Sequence, residues 1–266
     1  MELRLKRGLM THIISVANQK GGVGKTTTTT NLGVALAQIQ KKTLLIDLDP
    51  QGALSAGLGI KVTNETNTIY EVMMDEDVPA NQAIHPIQAY LDVIPADNDL
   101  AAAAIELMPE LRREYVLRNV LSILDGWYDY ILIDCPPSLN LLTVNALCAS
   151  TGVVIPVQCE FFAIRVVNQL IDSIERTRER MNPDLRLLGI LPTMYATGTI
   201  HSREVLEEMK SIYGDKVFDT VIHKSIRFAE ATVANKAITD YASKHKGAEA
   251  YEQLAQIVLD MTEPSD

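Results

Sequence analysis

Basic residues and cysteines are scarce in this chain, long apolar runs are absent, and each scarcity narrows what it can be. Lysine and arginine number 24 against 34 aspartates and glutamates in 266 residues, a formal net charge of -10. Such a chain is not a general polycation, so any grip on nucleic acid has to come from basic residues gathered on one face. The three cysteines, Cys135, Cys148 and Cys159, are odd in number and form no C-x-x-C pair. That argues against a disulfide framework or a zinc site and fits a reducing cytosol, with all three as small buried residues. No segment is apolar for long enough to span a bilayer. Met1 to Met10 carry Arg4, Lys6 and Arg7 but no apolar core ahead of a cleavage site, so they read as a short basic extension and not a signal peptide, with Met10 an alternative start.

What is present is a large apolar fraction, 47% of residues, with an ordinary 22% charged. Strand and helix patterns alternate along the whole chain. Apolar strands are expected at His12–Ala17, Thr43–Leu48, Leu91–Ile94, Tyr130–Asp134, Gly152–Val157, Leu185–Leu191 and Lys216–Ile222. Helices are expected at Thr26–Gln40, Thr68–Met73, Asp99–Met108, Pro109–Leu124, Leu139–Ala149, Ala163–Met181, Ser202–Tyr213, Ser225–Ala231 and Gly247–Met261. Several strands are continuously apolar, as when both faces of a sheet are covered. With no repeat and no linker, residues 1–266 read as a single α/β domain, one doubly wound, mostly parallel sheet with helices on both faces.

Between the first strand and the first helix stands Lys20-Gly21-Gly22-Val23-Gly24-Lys25-Thr26. It satisfies G-x-x-x-x-G-K-[ST] except at the first glycine, where Gln19 stands, and it has the strand-to-helix setting a phosphate loop needs. Glycines let successive backbone N–H groups curve round phosphate oxygens, and the helix start adds its positive dipole end. Lys25 is placed to reach the β- and γ-phosphates and Thr26 to ligate Mg²⁺, so the nucleotide-binding set is Lys20, Gly21, Gly22, Val23, Gly24, Lys25, Thr26 and Thr27. Lys20 adds a second cation to the loop. It is either a solvated lysine or one that points away from its own nucleotide towards a phosphate in a second subunit. The five threonines Thr26–Thr30 are poor helix formers, so tertiary contacts must hold that first turn.

Three acids end strands: Asp47 and Asp49 one of them, Asp134 another. Ligands bind at the carboxyl ends of parallel strands. Asp134 fits a Mg²⁺-holding position, reached through water. Asp47 and Asp49, two apart, face the same way on a strand; one can serve the Mg²⁺ shell and the other the attacking water.

The segments Asn18–Thr27, Leu45-Ile46-Asp47-Leu48-Asp49-Pro50-Gln51-Gly52 and Asp134-Cys135-Pro136-Pro137-Ser138 together closely resemble the ParA/Soj family of partition ATPases, of the deviant Walker A class that includes MinD. The resemblance runs from His12 to about Val258. It implies a slow, Mg²⁺-dependent ATP hydrolase. Lys20 then acts across a nucleotide-sandwich homodimer, with Lys25, and Asp49 activates the water. Asp47 joins Thr26 and Asp134 around the metal, and Pro50–Gly52 and Pro136–Ser138 are switch loops. It also implies non-specific DNA binding when ATP is bound, a ParB-like or cargo adaptor protein that stimulates hydrolysis, and a cytoplasmic, nucleoid-associated protein that segregates plasmid or chromosome DNA. A protein cargo carried along the nucleoid is the near alternative, and a metabolic or metal-handling P-loop enzyme the distant one.

The clearest basic stretch is His223–Lys246, and within it Lys224, Arg227 and Lys236 are the DNA candidates. Departures from the family pattern lie close by. His223 replaces a common proline, Ala231-Thr232-Val233 replaces Ala-Pro-Ser, and Ala196-Thr197-Gly198 follows Met194-Tyr195 where an acid and an arginine are usual. Arg203 is the candidate substitute for that arginine. No Lys or Arg follows Lys246, while Glu249, Glu252, Asp260, Glu263 and Asp266 do, so anionic lipid would repel the last helix and no membrane partner is expected. Its stripe Tyr251, Leu254, Val258 and Met261 reads as core packing.

Overall fold

A computed structural model describes residues 11–160 and 163–263. The basic extension, Met10 and Asp266 lie outside the described residues. The strands are β1 His12–Val16, β2 Thr43–Asp47, β3 His85–Gln88, β4 Leu91–Ile94, β5 Tyr130–Asp134, β6 Gly152–Gln158 and β7 Arg186–Thr193. They form one sheet in the order β3-β4-β2-β5-β1-β6-β7. All neighbours are parallel except β3, which pairs antiparallel with β4 at the edge. The order reverses direction around β1, so the crevice at that switch point opens where the β1 loop emerges.

The helices are α1 Lys25–Gln38, α2 Ala53–Gly57, α3 Ile69–Met74, α4 Leu100–Glu106, α5 Val116–Ser122, α6 Leu141–Ala149, α7 Ala163–Arg180, α8 Ile200–Tyr213, α9 Arg227–Val233, α10 Ile238–Tyr241 and α11 Lys246–Thr262. Strand alternation divides the core in two. Leu44, Ile46, Ile131 and Ile133 face one layer with Leu142, Ala146, Val167 and Leu170. Leu45, Tyr130 and Leu132 face the other, with Leu32, Leu36, Tyr251, Leu254 and Val258. The α11 stripe is therefore core, save Met261, which is 46% exposed. Gly33 lets α1 lie against β2: an added Cβ would stand 2.5 Å from Leu45 Cδ2. All three cysteines are free and buried.

Two expected elements take another form. Pro109 does not open a helix, because Arg112 turns into the left-handed region at φ 58°. The helix begins at Val116 instead, where Asn145 of α6 accepts from Leu117 N at 3.1 Å and donates to the Arg113 carbonyl at 2.8 Å. Residues 216–222 are not a strand. They touch β7 through Phe218 N to Ile190 O and Ile222 N to Pro192 O, four residues apart, so no continuous ladder forms. The Phe218 ring fills the space that a side chain at Gly189 would need. β3, α2 and α10, four or five residues each, carry too little periodicity to be read from sequence.

Candidate nucleotide site

The loop after β1 is built by Asn18 and two glycines. Asn18 is buried, donates to the Pro156 carbonyl at 2.7 Å and accepts from Lys20 N at 2.9 Å. Gly22 and Gly24 adopt φ 73° and 89°, conformations that a side chain resists. Thr193 at the end of β7 donates to the Val23 carbonyl at 2.8 Å. Among the described residues, the N–H groups of Gly21 to Thr27 meet no protein acceptor. With the amino end of α1 they form a concave row of donors suited to phosphate oxygens.

Two lysines stand on this loop with different surroundings. Lys25 is buried, and its Nζ donates to the Lys20 carbonyl at 3.1 Å. Burial pushes its pKa down, and the nearby Asp134 and Asp49 oppose that push. Lys20 is half-exposed, and its Nζ meets Glu160 Oε2 at 2.6 Å.

The first turns of α1 are held by one bond within the helix and two from outside it. Thr28 meets the Tyr251 hydroxyl at 3.2 Å, Thr29 donates to the Lys25 carbonyl at 3.1 Å, and Asn31 accepts from Ile238 N at 2.7 Å.

Asp47 and Asp134 end neighbouring central strands and are paired in register. Asp134 is fully buried, and its Oδ2 has no hydrogen-bond partner. Burial raises its pKa well above the ordinary carboxylate range, and the Asp47 charge raises it further. Asp47 is also fully buried, and burial raises its pKa to about 6. Both its oxygens are engaged: Oδ2 accepts from Ser55 N at 2.9 Å and Ser55 Oγ at 2.7 Å, and Oδ1 from Asp49 N at 3.3 Å. Asp49 lies beyond the end of β2, in a turn, so strand alternation does not place it beside Asp47. It is partly exposed and accepts from Gln51 N at 3.0 Å.

Ser55 was not legible as a site residue; nothing in its spacing marks it. Its Oγ also accepts from Ala96 N at 3.0 Å, which ties Asp47, α2 and the end of β4 together. Gly52 makes that tie possible, with φ 60° and room for no Cβ: one would stand 2.9 Å from the Ala96 carbonyl. Glu160 was missed as well, because an acid two residues past a strand has no signature of its own.

Among the described residues, no cluster of three or more His, Cys, Asp or Glu side chains can enclose a metal. The donor set here instead fits a cation shared with phosphate oxygens: the Thr26 hydroxyl, a buried carboxylate oxygen of Asp134 without a partner, and water. A cavity of about 340 Å³ opens beside the loop, lined by Gly24, Thr27, Met194, His223, Lys224 and Phe228. A second, of about 210 Å³, includes Thr26, Thr27, Ala53, Thr232 and Lys236. His223 is fixed by Thr197 Oγ1 at 3.0 Å from its Nδ1 and by the edge of Tyr195.

Of the four basic candidates, Lys224 and Lys236 thus sit at the rims of these two cavities, on either side of α9. Arg227 is exposed on α9 and pairs with Glu230 at 2.7 Å. Arg203 is exposed on α8. Among the described residues no helix is long and apolar enough to cross a membrane.

Comparison with known proteins adds to this geometry. Residues 11–187 match the family described as an AAA domain. The chain is 47% identical over 249 residues to the chromosome partitioning protein ParA of Caulobacter vibrioides, covering 93% of each chain. It is 45% identical over 249 residues to the sporulation initiation inhibitor protein Soj of Bacillus subtilis, covering 94% of this chain and 98% of that one. A Mycobacterium smegmatis structure described as cobyrinic acid a,c-diamide synthase with bound ADP and magnesium superposes with a TM-score of 0.83 at 40% identity, covering 94% of each chain.

Proposed function

Because the chain belongs to the ParA/Soj family of P-loop partition ATPases, with ATP and Mg²⁺ as its cofactors, we propose that it is an ATP-driven partition protein that pairs with a second copy when ATP binds, grips DNA without sequence preference and lets go after hydrolysis. The observation that carries this reading is the pair of unlike lysines on one loop. Lys25 faces inward among carboxylates, while Lys20 faces outward where a second subunit can be met.

The chemistry follows from the placement. Backbone N–H groups of Gly21 to Thr27 take the phosphate oxygens, and Lys25 exchanges the Lys20 carbonyl for the β- and γ-phosphates. Thr26 and Asp134 are the residues that would hold Mg²⁺, which when bound would offset phosphate charge. Asp47 serves that shell from behind, through its hold on Ser55 and on the Asp49 backbone. Asp49, partly exposed just ahead of Pro50–Gly52, orients the attacking water. Lys20 reaches the nucleotide of the second subunit. Such catalysis is positioning and electrostatics, so turnover is slow until an adaptor completes the site. The adaptor is ParB-like or carries another cargo, and the place of action is the nucleoid. Lys224, Arg227, Lys236 and Arg203 supply the DNA contacts, the first and third from positions that nucleotide in the adjoining cavities would order.

The test is binding to a random-sequence DNA duplex with ATP, ADP or no nucleotide, over a salt series. Tight binding with ATP alone, weakening steeply with salt, supports the reading. Equal binding in all three states, or none, refutes it. The description of the Mycobacterium smegmatis structure favours a second reading, an ATP-dependent biosynthetic enzyme. Transfer of phosphate to, or ATP-driven amidation of, a small acid would establish that one instead.

A further inference from the structure

Resting on the reading that Lys20 acts across two subunits, we infer that Glu160 is a positioning residue that holds Lys20 in its own subunit and so sets the concentration at which ATP brings two copies together. Lys20 is anchored at three atoms. Its N–H donates to Asn18, its carbonyl accepts from Lys25, and its Nζ lies 2.6 Å from Glu160 Oε2. Glu160 is itself aimed. The strand β6 ends at Gln158, whose Nε2 donates to Glu160 Oε1, and the Glu160 N–H returns to the Gln158 carbonyl at 2.7 Å. Cys159 between them donates its N–H to the Thr193 carbonyl at 3.2 Å. The carboxylate is therefore presented from a fixed strand end, not from a free loop side chain.

An ammonium paired with its own subunit's carboxylate is not free to neutralise a phosphate in another. Joining two subunits through Lys20 therefore breaks two such pairs, one on each side. The partners are 41% and 48% exposed, so each pair opens readily and resists weakly. Exposed pairs of this kind contribute at most about fivefold to an equilibrium, so two of them shift dimerisation by roughly 2- to 30-fold. Lys25 links the two events, since the phosphates that draw it inward also remove its bond from the Lys20 carbonyl.

The experiment is sedimentation velocity of the full chain with Mg²⁺ and a non-hydrolysable ATP analogue across protein concentration, for the wild type, Lys20→Ala, Glu160→Gln and Glu160→Asp. Thermal unfolding and analogue affinity of the dilute protein are measured alongside to show that each variant is folded. Both Glu160 variants are expected to dimerise at roughly 2- to 30-fold lower concentration than the wild type. The aspartate keeps the charge but is one methylene too short to reach Lys20. Tightening by the glutamine alone would mean that lost charge repulsion explains it, and would overturn the inference. Unchanged or weakened dimerisation in either variant overturns it too. A wild type that does not dimerise, or a Lys20→Ala variant that dimerises equally well, instead removes the parent reading of Lys20.

Discussion

Replacing Asp47 by asparagine should make the nucleotide-free protein more stable at neutral pH while damaging its function. Asp47 is fully buried, and burial raises its pKa from an ordinary 3.8 to about 6 despite the bonds from Ser55 and Asp49. Because the folded value lies above the unfolded one, the folded state holds the proton more tightly. The full stability is present below pH 3.8 and is lost as pH rises through 6. The charged form then costs about 3 kcal/mol at pH 7.5, roughly half that at pH 5 and under about 1 kcal/mol at pH 4. An asparagine oxygen can keep both Ser55 bonds but not the 3.3 Å bond from Asp49 N, a loss of about 0.5–1.5 kcal/mol. The net gain is about 2 kcal/mol at pH 7.5, or roughly 3–5 °C in Tm for a chain of this length. The Asp134 carboxylate, raised further by the Asp47 charge, gains as well. Thermal unfolding of wild type and Asp47→Asn between pH 4 and 8.5, without nucleotide or Mg²⁺, measures this. The gap should close towards pH 4. A gap that does not depend on pH, or a variant less stable at pH 7.5, would refute an ionised, desolvated Asp47.

Asp49→Ala should retain ATP binding and dimerise, yet hydrolyse at least tenfold more slowly in a phosphate-release assay; normal turnover would take Asp49 out of the reaction. Gly52→Ala should lose about 1–3 kcal/mol in urea unfolding, because φ 60° and the Ala96 carbonyl at 2.9 Å leave no place for a methyl group. A change under about 0.5 kcal/mol would show that this turn yields freely. The double variant Lys224→Ala, Arg227→Ala should lower the slope of log affinity for DNA against log salt by about 2 and leave ATP affinity unchanged. Should ATP affinity fall and the slope stay, Lys224 serves the cavity it lines and not DNA.

Much of the frame was legible because it rests on local signals. Alternating apolar runs marked six of the seven strands' neighbourhoods, and Leu91–Ile94 and Tyr130–Asp134 fall where the pattern put them. The segment at 216–222 looks as apolar as a strand but lies along β7 without a ladder, since a sequence shows apolarity and not a partner's spacing. The same limit applies at Pro109, where a good helix start is overruled by Asn145 reaching from another helix.

The sequence by itself determined the phosphate loop, since glycines at Gly22 and Gly24, a lysine and a threonine between strand and helix are chemistry written in consecutive residues. It also determined that acids would gather at strand ends nearby. Only the tertiary structure decided what surrounds each acid. Asp47 and Asp134 are neighbours because β2 and β5 pair in register, although 87 positions separate them. One is saturated by Ser55 and the other keeps an oxygen without a partner, so two similar aspartates acquire different surroundings. Lys20 meets Glu160 across 140 residues for the same reason. Burial and pairing depend on which strands the fold places side by side, and that is a property of the whole chain's packing that no short segment contains.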